Sequence, residues 1–356
     1  LKTKTVPEYK FIDSNNPKEV AKIIALWGFS EATLGGILHA LNIPFTGIFI
    51  GSTAVLLISL LASLSEQRGM IIKATLIVLT IKGMVSPHTP LTAYAAVLLQ
   101  GIIGQLLFGI IKQKKMAAFL FGIIAMLLSA FQKLIILTVV FGNTLWESID
   151  IYASFVINQF LFAKNNPDTF KLSFILMGIY LGLHLFTGFM VGIIAGKLPR
   201  WIEDEKSSTK LKSILSELEE IRNNNNGKKK KLSWWRKKSG VAFILMMLIM
   251  LGLSYLYPEF GSGNVYKIVL MILRSTIIMV VWFFLLSPFL LKMFRKYLSK
   301  KQKSYSTEIE QIVNLFPHIK SIIKSSWNNS KEYKKLKRLK AFLSTTLVLM
   351  LISEFE

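Results

Sequence analysis

The sequence predicts an all-α, polytopic integral membrane protein: a six-helix bundle, two or three further transmembrane helices, and cytoplasmic amphipathic helices. Three observations carry that prediction. Of the 356 residues, 52% are hydrophobic and mean hydropathy is +0.49, an apolar load that water-soluble domains rarely carry. The apolar residues come in runs long enough to cross a bilayer. The basic residues fall in the gaps between those runs, and this distribution argues against nucleic acid despite a net charge of +23.

A hydrocarbon core of about 30 Å needs roughly 20 helical residues. Six runs of about that length lie in the first 200 residues, at 21–42, 45–65, 69–86, 90–112, 116–141 and 170–196. Two more follow at 240–257 and 264–292, and a shorter one at 341–353 reads as the start of a last span. Inside lipid every backbone polar group needs a partner, and a helix supplies one within the segment. Residues 1–20 are polar without a cleavable signal pattern, so the first apolar helix is expected to serve as an uncleaved anchor.

Orientation follows from the loops. Lys112, Lys114 and Lys115 follow the fourth span. Lys197, Arg200, Lys228 to Lys231 and Arg236 to Lys238 separate the sixth from the seventh, and Lys292 to Lys303 follow the eighth. Alternation puts these three loops on one side, and the opposite loops at 142–169 and 258–263 hold only Lys164. The expected location is the inner membrane of a bacterial cell, multi-pass, with the amino terminus cytoplasmic.

Residues 198–239 divide a six-span domain (1–197) from a carboxy-terminal part (240–356). Leu211, Ile214, Leu215, Leu218 and Ile221 in this linker have helical spacing, and Asn223 to Lys231 form a low-complexity run. With Trp234 and Trp235 before the next span, the linker is expected near anionic lipid headgroups. Farther on, Thr307 and Glu310 have capping-box spacing. Ile309, Ile312, Val313, Phe316, Ile319 and Ile323 mark one apolar stripe, with a kink expected at Pro317. Asn328 to Ser330 break that helix, and a very basic one begins near Lys331. This 303–340 region is expected either to dock a partner or to lie on lipid.

Ionisable and amide side chains within spans are costly and so nominate sites. The first span holds Glu31 and His39, with Asn42 at its outer end. Ser86, His88, Thr89 and Tyr94 lead into a fourth span that holds Gln100 and Gln105. Gln132 and Lys133 lie in the fifth, and His184 in the sixth. The orientation places His39, Asn42, His88 and Thr89 near the external face, a clustering that suits a ligand pocket open to the outside. Each also has a packing alternative: Glu31 pairing with Lys133, His184 bonding a neighbouring carbonyl, the glutamines joining helices. Arg274, deep in the eighth span, either pairs with Glu31 or Glu259 or joins the two halves. Gly188, Gly192 and Gly196, Gly178 with Gly182, and Gly101 with Gly104 give small-residue faces for close helix approach.

Cysteine is absent, which excludes disulfides and thiolate sites. No P-loop, H-E-x-x-H or G-x-S-x-G motif occurs, and four scattered histidines give no metal spacing. The expectation is therefore no cofactor, no metal and no catalytic residue.

The segment Ser86-Pro-His-Thr-Pro-Leu-Thr-Ala-Tyr94, continuing to Gln100-Gly101-Ile-Ile-Gly-Gln105, resembles the third loop and fourth helix of the substrate-binding (S) components of energy-coupling factor transporters. Ile37-Leu-His-Ala-Leu-Asn-Ile-Pro44 is similar to that family's first helix and loop. Ala21 and Ala25 match the small-residue face that meets the transmembrane coupling (T) subunit. Residues beyond 240 look distantly like the end of such a T component, although its Ala-Arg-Gly-like motif does not occur here. The resemblance implies uptake of a vitamin-like small molecule, powered by separate ABC-type ATPase subunits. In that reading Glu31, His39, Asn42, His88, Thr89, Tyr94, Gln100, Gln105 and His184 bind substrate. Ala21, Ala25, Ile312, Phe316, Ile319 and Ile323 contact partner subunits. The alternatives are a membrane scaffold that recruits soluble proteins and a lipid-modifying enzyme using Glu31, His39 or His88.

Overall fold

The structure is a computed structural model that describes residues 17–40, 45–65, 67–86, 89–160, 171–206, 273, 275–278 and 280–353. Its regular structure is entirely helical among the described residues, as expected. The first apolar run forms one rod from three pieces: α1 (Pro17–Phe29), a π-helical turn (Ser30–Leu34) and α2 (Gly35–Ala40). Then come α3 (Thr46–Leu64), α4 (Met70–Val85), α5 (Leu91–Ile110), α6 (Lys114–Phe141), α7 (Thr144–Phe160) and α8 (Leu172–Lys206). Five of these stretches are long and apolar enough to cross a membrane: Pro17–Leu38, Thr46–Leu64, Leu91–Ile110, Lys114–Phe141 and Leu172–Glu205. The apolar runs at 21–42, 45–65, 90–112, 116–141 and 170–196 fall on them.

α4 behaves differently from the expected third span. Its 16 residues reach only about 24 Å, short of the hydrocarbon thickness. It is instead the most enclosed helix: Ala74, Val78, Leu79 and Ile81 are all fully buried. α1, α5 and a later helix all pack against it.

Two compact units emerge. The larger takes in residues up to 135, 174–221 and 283–356; the smaller comprises 136–173 and 222–282. The smaller unit holds α7, a helix where the sequence predicts a loop over 142–169. Gly142, at φ 76, supplies the left-handed residue that turns the chain from α6 into α7. Trp146 donates to the Thr138 hydroxyl at 3.0 Å across that turn, and the Asp150 carboxylate accepts from the backbone N–H and hydroxyl of Ser173 at 2.7 and 2.8 Å.

The carboxy-terminal part departs most from expectation. The span at 240–257, the linker at 207–239 and Arg274 lie outside the described residues. After a π-helical turn at Val281–Leu286, α9 (Ser287–Ser304) continues well past residue 292. α10 (Ser306–Asn314) begins one residue before Thr307, with Tyr305 at its N-cap and no side-chain cap bond, so the Thr307–Glu310 box does not form. α11 (Phe316–Asn329) starts afresh at Leu315, with Pro317 in its first turn; the expected kink is a break between two helices. A short 3₁₀ turn (Ser330–Glu332) leads into α12 (Lys335–Ile352), which joins the expected basic helix and the expected last span into one.

α12 is not a span. Near its start, Lys340 lies 3.9 Å from Asp204, and the Ser344 hydroxyl donates to Glu205 at 3.1 Å, both at the end of α8. At its other end the Leu351 and Ser353 carbonyls accept from Lys22 of α1 at 2.8 and 2.7 Å. The end of α8 and the start of α1 are the same end of the bundle by alternation, so α12 lies across it. α10 and α11 also do not hang clear of the bundle. Phe316 makes an edge-to-face contact with Phe29, and Glu308 pairs with Lys73 at 2.9 Å, so both helices flank α1 and α4.

The apolar stripe of α10 and α11 explains this placement. Ile309, Ile312, Ile319 and Ile322 join Ile23, Ile24, Trp27 and Ile77 in one core. A stripe of this kind is removed from water or lipid by the nearest matching face, here α1. α9 raises a further difference. Leu298 lies beside Gly83, and Gln302 shares a cavity wall with Met84, at the end of α4 that the sequence reading places outside. The basic stretch 292–303, expected inside the cell, does not fit that neighbourhood.

Candidate functional site

The site grows from α1 and α4. α1 is apolar on the faces it buries, yet at Ser30–Leu34 its hydrogen bonding widens to a π-turn, a local irregularity that often marks a functional position. Glu31 sits in this turn, 1% exposed. Opposite, Lys82 of the enclosed helix α4 is 2% exposed and donates from Nζ to Glu31 Oε2 at 2.7 Å. Glu31 Oε1 is buried and has no hydrogen-bond partner among the described residues.

This pair corrects one expectation: Glu31 pairs with Lys82 and not with Lys133, which is exposed. Arg274 lies outside the described residues. Lys82 is not among the residues nominated from the sequence, although a second lysine inside an apolar run was an available signal: it stands in the last turn of α4, as Lys73 stands in the first.

Polar neighbours follow along the same seam. Gly35 brings backbone close to the Lys82 ammonium: a Cβ there would stand 4.0 Å from Nζ. One residue on, a Cβ at Gly36 would stand 3.4 Å from the Ser86 hydroxyl, which accepts from Thr89 at 2.9 Å. The Tyr94 hydroxyl lies by Gly83, and Gln132 donates to the Thr92 carbonyl at 2.9 Å. Thr89, Tyr94 and Gln100 are all buried, the last with its amide nitrogen beside Gly51 of α3. Thus Glu31, Thr89 and Tyr94 line the α1–α4–α5 seam and Gln100 continues it toward α3.

Other nominated residues stand apart. Gln105 is half-buried farther along α5, with Oε1 unpartnered. His184 is 1% exposed and donates from Nδ1 to the Tyr180 carbonyl at 2.9 Å, while Tyr180 stacks on Phe45. His39 falls in α2; Asn42 and His88 lie outside the described residues. Of the nominated partner contacts, Ala25, Ile312 and Ile319 are buried inside this chain, and Ala21, Phe316 and Ile323 are half-buried. Two cavities are formed elsewhere. One, of about 400 Å³, is walled by Thr138, Asn143 and Glu147 in the smaller unit. The other, of about 320 Å³, is walled by Met84 and residues of α9 and α10. Neither is lined by a residue nominated for substrate.

Chemically, the seam offers a carboxylate oxygen with spare acceptor capacity, an ammonium, three hydroxyls and an amide, enclosed by apolar wall. Such a set recognises a small polar solute by hydrogen bonds and charge; among the described residues no group of His, Asp and Glu has the arrangement to hold a metal. Holding two charges out of water costs several kcal/mol per ion, which one 2.7 Å contact with an open oxygen only partly offsets. Packing alone does not require such a pair. Comparison with family models, curated proteins and solved structures finds no match to this chain.

Proposed function

We propose that this protein is a membrane subunit that binds a small polar solute in the α1–α4–α5 seam and serves its uptake, energised by a separate ATPase. The observation that carries the reading is the buried Glu31–Lys82 pair on a π-turn, with one carboxylate oxygen left open. Intramembrane charges of this kind line substrate paths or relays far more often than they serve as plain packing. The turn at Ser86–Thr89 is the seam's mouth, and in this reading it faces outward while the amino terminus is cytoplasmic.

The likeness of Ser86–Gln105 to S components of energy-coupling factor transporters supports the same assignment and suggests a vitamin-like solute. The scaffold alternative has less support, because the stripe it would use for docking is occupied by α1. Purification from native membranes in mild detergent, followed by mass spectrometry, tests the proposal. The expected result is a retained small molecule and a co-purifying ATPase, with the molecule raising the unfolding temperature when added back. A preparation with soluble adaptor proteins and no small molecule would overturn it.

A further inference from the structure

The start of α12 and the turn before it carry a surface that the substrate seam does not use. Over residues 331–340 there are six basic side chains and one acidic one. Lys331, Lys334, Lys335, Lys337 and Lys340 are exposed, whereas Arg338 stacks on the Trp327 ring at 4.4 Å. Between the lysines, large apolar groups are exposed as well: Leu336 at 77%, with Leu339, Tyr333 and Trp327 at 40% or more. Leu336 and Leu339 are three apart, hence neighbours on one helical face.

Position adds the second argument. Lys340 sits by Trp201 and Asp204, where α8 leaves its apolar stretch, and the helix lies across that end of the bundle. A helix in that plane, with lysines beside bare leucines, meets two zones at once: phosphate headgroups and the first methylenes of the acyl chains. A soluble acidic partner would answer the lysines but leave Leu336 without a matching apolar zone.

We propose that Trp327–Lys340 docks on the anionic headgroup surface of the bilayer in which the bundle stands. The lysines bind lipid phosphates, Leu336 and Leu339 dip below them, and the docked segment fixes α12 against α1 through the Lys22 bonds to its last carbonyls. Juxtamembrane basic residues each favour an anionic surface by roughly fivefold, so removing four lysines suffices to release the segment. This inference does not depend on the substrate seam.

Because the chain has no cysteine, Leu336→Cys gives a unique attachment point for a polarity-sensitive nitrobenzoxadiazole label. The full-length protein is placed in nanodiscs of phosphatidylcholine alone or with added phosphatidylglycerol. The expected result is a blue-shifted, brighter emission only with the anionic lipid, reversed by high salt and absent when Lys334, Lys335, Lys337 and Lys340 are changed to Gln. A matching thermal unfolding curve for that variant shows that it has folded. Equal emission in both nanodiscs, or an aqueous spectrum that changes only on adding soluble protein, would overturn the proposal.

Discussion

Two helix contacts in the larger unit solve the same problem by opposite means. Between α6 and α8 the helices meet backbone to backbone: a Cβ at Gly122 would stand 2.6 Å from the Gly188 carbonyl oxygen, and one at Gly192 2.7 Å from the Phe119 carbonyl. The atoms that approach at Gly122, Gly188 and Gly192 are mainly backbone, and dispersion between closely spaced backbones holds the pair. Between α1 and α4 the contact instead encloses a carboxylate and an ammonium. The glycine contact shows that this chain can join helices without burying charge. The charged contact therefore calls for a reason beyond adhesion, and solute recognition supplies one.

The largest effect should come from breaking the charged contact on one side. Lys82→Met or Glu31→Leu alone strands a buried charge and should cost about 3–5 kcal/mol, read from thermal unfolding in detergent. Joining the two changes should restore the whole of that loss; additive losses would mean that the two groups do not interact. Next, Gly188→Leu drives a side chain into the Gly122 backbone and should cost about 1–3 kcal/mol through forced separation of α6 and α8. Gly101 packs directly on the Thr75 side chain, so Gly101→Ala should cost about 1–3 kcal/mol, less in a Thr75→Ala background that removes the hydroxyl. The smallest change is Gly182→Ala. No atom lies within 4 Å of its would-be Cβ, so removing helix glycine should stabilise by about 0.5–1 kcal/mol. A loss there would reveal a neighbour packed on that face.

That last pair of glycines shows where sequence reading reaches its limit. Gly178 with Gly182 and Gly188 with Gly192 have the same spacing, yet among the described residues only the second pair meets another helix. Spacing names a face; the neighbour comes from tertiary packing. The same holds for charge. Glu31 was conspicuous in an apolar run, but its partner is 51 residues away on a helix whose enclosure no local pattern reveals. Apolar length located five stretches able to cross a membrane because hydrophobic thickness is a one-dimensional constraint. In α12 the apolar second half at 341–353 is continuous with the basic first half, and Ser344 to Leu351 are buried within the protein. The stripe at Ile309–Ile323 was legible as a face and misread as a docking surface, since α1 covers it. Sidedness is open to the same check: cysteine labelling at Gln302 and at Met84 should report one accessibility if α9 flanks α4 as the structure has it.

The account rests on the Glu31–Lys82 pair serving a solute rather than the fold. Replacing both residues at once, as Glu31→Leu with Lys82→Met, fills the seam with apolar groups of similar size and leaves no stranded charge. Native-membrane preparations of the parent and the double variant are then compared by mass spectrometry for retained small molecules, alongside their unfolding temperatures. The account predicts a variant at least as stable as the parent that has lost the bound compound. A stable variant that retains the same compound in the same amount would contradict it.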